Sequence, residues 1–345
     1  MKKLNQESLD KIVAKTAANK NINGSVFHIE SSDKSMSLFS ASGNMSPESQ
    51  YYIASINKLI ISFITLRLCQ DKTINLSDKI LNYLPNDILN GLLVLDGKDY
   101  SSELTIRHLI SHTSGLPCYL IDKRADGKKN MDLILNGNDQ SWPLSKVVNE
   151  VKKMKPKFQP GAKGKASYSE TNFRLLDRIL EVVTNKSIQD LLAAVFHELE
   201  MKNTFVLPSG SADNCAPIYF KQNIIDIQRY WKSTHHDIAS TATDQMKFIR
   251  AFFDGKYFPE EFILELKRWN NIFFPFKYGV GIQKFYIPRF LSPLKAVPEL
   301  IGHSGSIGSA AFYVPDKRVY ITGTVNQTSS PNIVFQAMVK IVNKL

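Results

Sequence analysis

Residues 51–66 read Tyr-Tyr-Ile-Ala-Ser-Ile-Asn-Lys-Leu-Ile-Ile-Ser-Phe-Ile-Thr-Leu, an apolar run that contains a serine and a lysine three positions apart. From Ser55 onward the residues are apolar on nearly every face of a helix, which predicts a buried helix. Lys58 is the only charged residue between Ser55 and Arg67. Residues three apart share a helix face, and a lysine is rarely buried without a partner. The stretch therefore predicts a lysine that lies beside a serine and can activate its hydroxyl group.

The Ser-x-x-Lys spacing is not specific by itself, because the chain contains it in three other places: Ser8 to Lys11, Ser31 to Lys34 and Ser292 to Lys295. The first copy lies in a mixed-charge amphipathic stretch, the second in a polar turn, and the third contains Pro293, which disfavours a helix. Only the copy at Ser55 stands at the start of a buried helix. From this context alone, a catalytic and a structural interpretation of Ser55 both stay open.

The composition is that of an ordinary globular protein, with 345 residues, 43% hydrophobic and 22% charged, and it allows two lobes. A net charge of +11 could suit nucleic acid or an anionic membrane, but the lysines are scattered without a compact basic run. We therefore predict a lysine-rich surface and no nucleic-acid partner. The three cysteines show no zinc-site spacing, and the run His235-His236-Asp237 lacks an evident third ligand, so we predict no metal.

The first residues, Met1-Lys2-Lys3, could open a signal peptide, but polar and acidic residues follow where an apolar segment would be needed. No apolar run approaches the length of a transmembrane helix, so we predict no stable membrane insertion. As given, the sequence predicts a cytoplasmic protein, or a periplasmic or extracellular one if a leader has been removed.

The order of predicted elements indicates the architecture. A helix over residues 5–18 and a hairpin over 24–41 come first, and three strands over 277–282, 308–314 and 319–325 come last, before a helix from Pro331. We predict that residues 1–54 and 237–345 form one sheet-containing lobe, and that residues 55–236 form a mainly helical lobe inserted into it. The cleft between the lobes is the predicted site.

The middle of the chain carries several helix signals. Ser77 is predicted to cap a helix that ends at Pro85, and Thr105 to begin a helix that ends before Gly115. Two apolar stripes, over 175–183 and 191–196, predict further helices, and residues 121–144 have the weakest pattern and are predicted to form a long surface loop.

Two loop stretches carry further candidate groups. Tyr168 lies just ahead of a predicted helix, and it could either cap the core or relay a proton if a nearby ammonium lowers its pKa. The glycine-rich stretch over 302–308 could form a tight bend, or it could let backbone N–H groups approach a ligand anion. A histidine and two serines among those glycines favour a site.

Four stretches together resemble the serine β-lactamase and penicillin-binding-protein superfamily, in the branch of class C β-lactamases, D-Ala-D-Ala carboxypeptidases, D-aminopeptidases and esterases. They are, in order, Ser55-Ile-Asn-Lys58; Leu104-Thr-Ile-Arg-His-Leu-Ile-Ser-His-Thr-Ser-Gly-Leu-Pro117; Tyr168-Ser-Glu-Thr-Asn-Phe173; and His303-Ser-Gly305. The resemblance covers roughly residues 20–330. It implies a β-lactamase/transpeptidase-like fold of the α/β (α+β) class, with an antiparallel sheet flanked by helices and an inserted all-helical lobe.

The resemblance also implies roles for single residues. Ser55 would be the nucleophile that forms an acyl-enzyme, and either Lys58 or Tyr168 would be the base. For either to act near neutrality, the pKa of the lysine or the tyrosine must fall from its model value. The backbone N–H groups of Ser55 and Ser306 would form the oxyanion hole.

For the glycine-rich stretch, the resemblance implies that His303, with Ser304 and Gly305, lines the cleft and orients substrate or Tyr168. The stretch from His112 to Pro117 would be a structural turn under the cleft, without catalytic histidines. No cofactor is implied.

Two departures from the family pattern bear on the substrate. Glu170 stands where relatives have a neutral asparagine; it should repel substrate carboxylates, and it can pair with Lys58. His303 stands where many relatives have lysine, so a fixed positive charge is missing unless the histidine is protonated. Both departures favour a neutral or cationic substrate.

The resulting hypothesis is a cofactor-free serine hydrolase, most simply an esterase or a peptidase-like amidase that acts on a small ester, amide or peptide. One alternative is a D,D-carboxypeptidase or weak β-lactamase that acts on cell-wall peptides or β-lactams. Another, of a different class, is a catalytically silent binding protein with the same fold. The sequence does not indicate the oligomeric state.

Overall fold

The structure is a computed structural model that describes residues 3–136, 140–207, 215–225, 237–293 and 295–345. Its helices are α1 (Gln6–Ala17), α2 (Asn57–Gln70), α3 (Asn86–Leu89), α4 (Ile106–Ile110), α5 (Asn130–Leu135), α6 (Leu144–Val151), α7 (Glu170–Thr184), α8 (Ile188–Glu198), α9 (Ala242–Phe253), α10 (Glu260–Leu266) and α11 (Ile333–Val342).

Its strands are β1 (Gly24–Ser31), β2 (Ser37–Gly43), β3 (Tyr51–Tyr52), β4 (Val94–Leu95), β5 (Lys98–Asp99), β6 (Phe205–Val206), β7 (Ile218–Phe220), β8 (Asn223–Ile225), β9 (Ile238–Ser240), β10 (Asn270–Phe273), β11 (Phe276–Tyr278), β12 (Gln283–Phe285), β13 (Leu300–Ser304), β14 (Ser309–Val314) and β15 (Val319–Thr324).

The main sheet has eight strands in the order β10-β11-β12-β13-β14-β15-β1-β2, and all neighbours pair antiparallel. The first hairpin joins the C-terminal strands because β1 pairs with β15, with Val26 opposite Thr324. The two ends of the chain therefore share one sheet, as predicted from the element order. The proposed lobe boundaries after residues 54 and 236 stay a prediction.

Helices cover both faces of this sheet. Helices α1 and α11 pack on one face, where Leu9, Phe312 and Met338 belong to one buried cluster. The other face packs against a larger cluster that contains most of α2 together with residues of α7 and α9, including Phe63 and Phe248. An antiparallel sheet with an apolar layer on each face needs such cover on both sides.

Helix α2 is buried along almost its whole length, as the sequence predicts. Its residues from Lys58 to Leu66 are all buried, and Phe63 packs edge-on against Phe248 and Phe258. Because the helix packs against protein on all its faces, it can neither rotate about its axis nor slide along it. The first turn of α2 is thereby held in one position.

Two predictions about the middle of the chain are wrong. Between Ser77 and Pro85 there is only a short 3₁₀ turn, Ile80–Asn82, because Lys79 is extended and bridges to Thr105. The predicted surface loop over 121–144 contains helix α5, whose Asn130 is buried and donates to the carbonyl oxygen of Tyr119 at 2.7 Å. In both cases tertiary contacts override a weak local pattern.

Within the described ranges, no helix combines the length and the apolarity that crossing a bilayer requires.

Candidate active site

Ser55 lies in a tight turn between a strand and the buried helix. Strand β3 pairs with β9, Ile53 donates its N–H to the carbonyl oxygen of Ile238 at 2.9 Å, and a 3₁₀ turn over Ala54–Ile56 leads into α2. Ala54 has a φ of 49°, in the left-handed region that a residue with a Cβ rarely adopts. The turn brings the half-buried Ser55 to the wall of a cavity.

The turn between β13 and β14 packs directly on this segment. Ser309 donates its hydroxyl to the carbonyl oxygen of Ile53 at 2.8 Å. A Cβ on Gly305 would clash with that same carbonyl and with the side chain of Ser309. A glycine at position 305 therefore allows the close approach of the sheet to the backbone that precedes Ser55.

Lys58 is buried, with 7% of its surface exposed, and its ammonium forms an ion pair with Glu170. The Nζ atom lies 2.6 Å from Glu170 Oε2 and 5.2 Å from the centre of the Tyr168 ring. Burial alone would lower the pKa of Lys58, but the attraction of the Glu170 carboxylate outweighs it and raises the pKa above its ordinary value. The resting lysine is therefore an ammonium.

Tyr168 connects this ion pair to the serine. Its hydroxyl donates a hydrogen bond to Ser55 Oγ at 2.8 Å. Burial, followed by the nearby Glu170 carboxylate, raises the pKa of Tyr168 well above its ordinary value. The lowered pKa that the base would need near neutrality is therefore not found for Lys58 or Tyr168 in the resting site, because the Glu170 carboxylate lies beside both groups.

The ring of His112 packs against the ring of Tyr168. The two rings lie 4.6 Å apart, and His112 Nδ1 accepts the backbone N–H of Ser169 at 3.2 Å. Burial lowers the pKa of His112 well below its ordinary value, so the ring is neutral. This placement agrees with the structural turn that the resemblance implied.

His303 lies inside the protein beside Tyr278. It is buried, it is absent from the cavity wall, and its Nε2 lies 3.1 Å from Tyr278 Oη. Burial lowers the pKa of His303 to about 3, so the ring carries no charge near neutrality. The predicted contact of His303 with substrate stays a prediction, although its place in β13 puts the ring against Tyr278.

Ser304 and Gly305, which follow His303, also contact other parts of the protein and not the cavity. Ser304 donates its hydroxyl to Gln283 Oε1 at 2.8 Å, and neither Ser304 nor Gly305 lines the cavity. Their predicted contact with substrate stays a prediction. Ser306, by contrast, is exposed and lines the same cavity as Ser55, so the two residues whose N–H groups were predicted to form the oxyanion hole lie at one site.

The cavity has a volume of about 390 Å³ and a largely apolar wall. The apolar lining comes from α2, the segment after residue 118, α5, α7, β7, β8 and the turn after β13: Ile61, Leu120, Ile121, Met131, Ile134, Phe173, Ile218, Ile225 and Ile307. Such a wall suits the apolar part of a small ligand, and the polar groups around Ser55 can orient it.

Three further ionisable residues of the cavity wall were not predicted as site residues from the sequence: Arg174, Asp177 and Asp237. Burial raises the pKa of Asp177 to about 7 and that of Asp237 to about 6. Asp177 could have been found, because Glu170, Arg174 and Asp177 follow each other at helical spacing on α7. Asp237 reaches the site only because β9 pairs with β3.

In the described part of the chain, no three histidine, cysteine or acidic side chains are grouped as a metal site would require. His235 and His236 lie outside the described residues.

Comparisons with known proteins agree with this geometry. The family model described as "Beta-lactamase" matches residues 9–338. Protein flp of Staphylococcus aureus (strain MW2) is 27% identical over 160 residues, which are 46% of this chain and 28% of flp. The matched region is thus less than a third of that relative's length.

Two solved structures share the fold over nearly their whole length. The D-stereospecific amidohydrolase from Streptomyces sp. has a TM-score of 0.77 at 22% identity, with 97% of this chain and 98% of that chain covered. EstCE1, a hydrolase with promiscuous acyltransferase activity, has a TM-score of 0.77 at 19% identity, with coverages of 98% and 99%. The fold is of the β-lactamase/transpeptidase-like type, and the chain belongs to the beta-lactamase family.

Proposed function

We propose that the protein is a serine hydrolase that forms an acyl-enzyme on Ser55 and cleaves small amides or esters. One observation carries the proposal: Tyr168 Oη lies 2.8 Å from Ser55 Oγ, next to a buried lysine–glutamate ion pair. A serine hydroxyl that is hydrogen-bonded to a second hydroxyl, which itself lies beside a buried lysine–glutamate pair, is an arrangement that can activate a nucleophile. The likeness in fold to an amidohydrolase and to EstCE1 is consistent with this class.

The proposed acylation begins at the ion pair. Lys58 passes a proton to Glu170 across their 2.6 Å contact, and the neutral amine then takes the proton of Ser55 directly or through Tyr168. Ser55 Oγ forms a bond to the carbonyl carbon, and the N–H groups of Ser55 and Ser306 receive the oxyanion. When the C–N or C–O bond breaks, Lys58 or Tyr168 protonates the leaving group, and water later releases the acyl group.

The proposed substrate is neutral or positively charged near the scissile bond. Glu170, Asp177 and Asp237 line the cavity, and the neutral His303 offers no cation to a carboxylate. A substrate carboxylate would therefore meet like charge, and the two cations of the described cavity wall are Arg174 and Lys58, of which Lys58 is already paired with Glu170. Esters and amides that carry an apolar group or an amine fit this wall better than β-lactams or D,D-peptides.

The test is the intact mass of the protein after brief exposure to a fluorophosphonate, to a short-chain p-nitrophenyl ester and to a penicillin, followed by peptide mapping. We expect adducts on the peptide that contains Ser55 with the first two reagents, and little or none with penicillin, which carries a carboxylate. No adduct with any reagent would refute the hydrolase and favour a silent binding protein. Rapid acylation by penicillin would refute the proposed substrate class and favour the D,D-peptidase or β-lactamase alternative.

Glu170→Asn is expected to move the acid limb of the kcat/KM profile to lower pH. Burial lowers the pKa of Lys58 and Glu170 raises it, so without the carboxylate the burial effect prevails and the pKa of Lys58 falls. A base acts only in its neutral form, so a lower pKa makes it active at lower pH. The measurement is kcat/KM for a neutral p-nitrophenyl ester against pH.

The matched control is Glu7→Gln, which removes an exposed carboxylate that also pairs with a lysine, Lys11. This variant should leave the profile unchanged. An acid limb that stays in place, or moves to higher pH, in Glu170→Asn would contradict the role of the Lys58–Glu170 pair.

A further inference from the structure

Residues 268–295 contain five basic residues and no acidic one, although the chain as a whole has 43 basic and 32 acidic residues. The five are Arg268, Lys277, Lys284, Arg289 and Lys295. This segment forms one edge of the main sheet, strands β10 to β12, and the 3₁₀ turn Arg289–Leu291 that follows it. Its charge and its position at a free edge mark it as a distinct surface.

The same edge exposes large apolar side chains. Phe273 and Phe274, at the turn between β10 and β11, are 54% and 61% exposed. In the turn after β12, Phe290 and Leu291 are 78% and 54% exposed. A contiguous exposed apolar patch on a globular protein usually marks a surface that contacts something else.

The turn between β10 and β11 contacts Tyr286, which leads into the second turn. The ring of Phe274 lies 6.2 Å from that of Tyr286, and Tyr286 donates its N–H to the carbonyl oxygen of Pro275 at 3.1 Å. Tyr286 precedes the 3₁₀ turn with Phe290 by only three residues. We define the aromatic–basic patch as Phe273, Phe274, Tyr286, Phe290 and Leu291 with the two cations Lys277 and Arg289.

These two cations stay available for an outside partner. Lys277 Nζ lies 5.1 Å from the ring centre of Tyr286, and Arg289 donates to the carbonyl oxygen of Ser292. In the described part of the chain, neither forms an ion pair with a carboxylate, whereas Lys284 pairs with Glu299. The patch thus presents apolar rings together with uncompensated positive charge.

We propose that the aromatic–basic patch docks the protein on the surface of an anionic phospholipid bilayer. Exposed aromatic side chains can enter the headgroup region, while lysine and arginine beside them attract anionic lipids. A second copy of the chain fits less well, since a two-fold interface would place the cations of one patch against those of the other. None of the patch residues lines the cavity at Ser55.

The test is co-sedimentation of the full chain with phosphatidylcholine vesicles, with and without phosphatidylglycerol. We expect binding only when phosphatidylglycerol is present, and weaker binding as salt is added. The double variant Phe274→Ser/Phe290→Ser and the double variant Lys277→Glu/Arg289→Glu should each lower the vesicle-bound fraction by about tenfold. The matched control is Ile224→Ser, which removes another apolar side chain that is 62% exposed, outside the patch.

Esterase turnover and the melting temperature of each variant report whether the fold is intact, and neither should change. Equal binding to both vesicle types, or wild-type binding by both double variants, would overturn the proposal. Binding that depends on Lys277 and Arg289 but not on Phe274 and Phe290 would also overturn it. Such binding would be attraction by charge alone, which any polyanion such as nucleic acid would give, without entry of the rings into the headgroup region. Self-association of the protein through the patch, without sedimentation with vesicles, would also overturn the proposal.

Discussion

Ser55→Ala is expected to lower kcat/KM for a p-nitrophenyl ester by about 10⁴-fold or more, because Ser55 is the proposed nucleophile of the acyl-enzyme. The remaining rate would come from the cavity and the oxyanion hole. Ser55 is half-buried and its hydroxyl accepts only the hydrogen bond of Tyr168 among the described contacts, so the fold should survive the change. Steady-state kinetics and the melting temperature of the purified variant check both statements.

The chain supplies its own control for this experiment. Ser8 and Lys11 have the same spacing as Ser55 and Lys58, and Lys11 also pairs with a glutamate, but this ion pair lies on the solvent-facing side of helix α1. Ser8→Ala should therefore keep full activity. A Ser55→Ala protein that retains more than a small fraction of the wild-type turnover would show that another nucleophile does the chemistry.

Lys58→Met is expected to lower kcat by about 10²- to 10⁴-fold, the usual contribution of a general base. It also leaves Glu170 without the cation that lies 2.6 Å away, so a loss of stability should accompany the loss of rate. Lys11→Met is the matched control, since its ion pair is exposed to solvent and contributes little to stability.

Lys58→Arg separates the charge of the lysine from its proton exchange. An arginine can keep a positive charge beside Glu170, but it does not lose its proton in proteins. We expect Lys58→Arg to lose activity as Lys58→Met does while it regains part of the stability. An active Lys58→Arg variant would contradict the role of Lys58 as a base and would favour Tyr168.

The parts of the site that the sequence predicts are those set by local spacing. Ser55 lies three residues before Lys58, in the turn that leads into a helix whose burial follows from its composition. Tyr168 was found through the family resemblance, since nothing near it in the sequence indicates that its hydroxyl reaches Ser55. The pairing of the two chain ends in one sheet followed from the order of strands and helices.

The features of the site that the sequence does not predict depend on contacts between segments that are far apart in the chain. Side chains alternate between the two faces of a strand, so nothing local decides whether His303 faces the cavity or Tyr278. Asp237 belongs to the site through strand pairing, and the raised pKa of Asp177 depends on burial by other elements. The pairing of Glu170 with Lys58 was anticipated, but the resulting rise in the pKa of Lys58 was not, because it depends on how α7 packs beside α2.

The left-handed backbone at Ala54 has a consequence for protein engineering. Glycine adopts this conformation without the steric penalty of a Cβ, so Ala54→Gly would relieve about 1 kcal/mol of strain in the native protein. It would also loosen the chain immediately before Ser55. Directed evolution that selects for thermal stability alone would therefore favour Ala54→Gly. The selected proteins would be more stable, but their Ser55 would be less precisely positioned. Screening for turnover in the same round would keep the alanine.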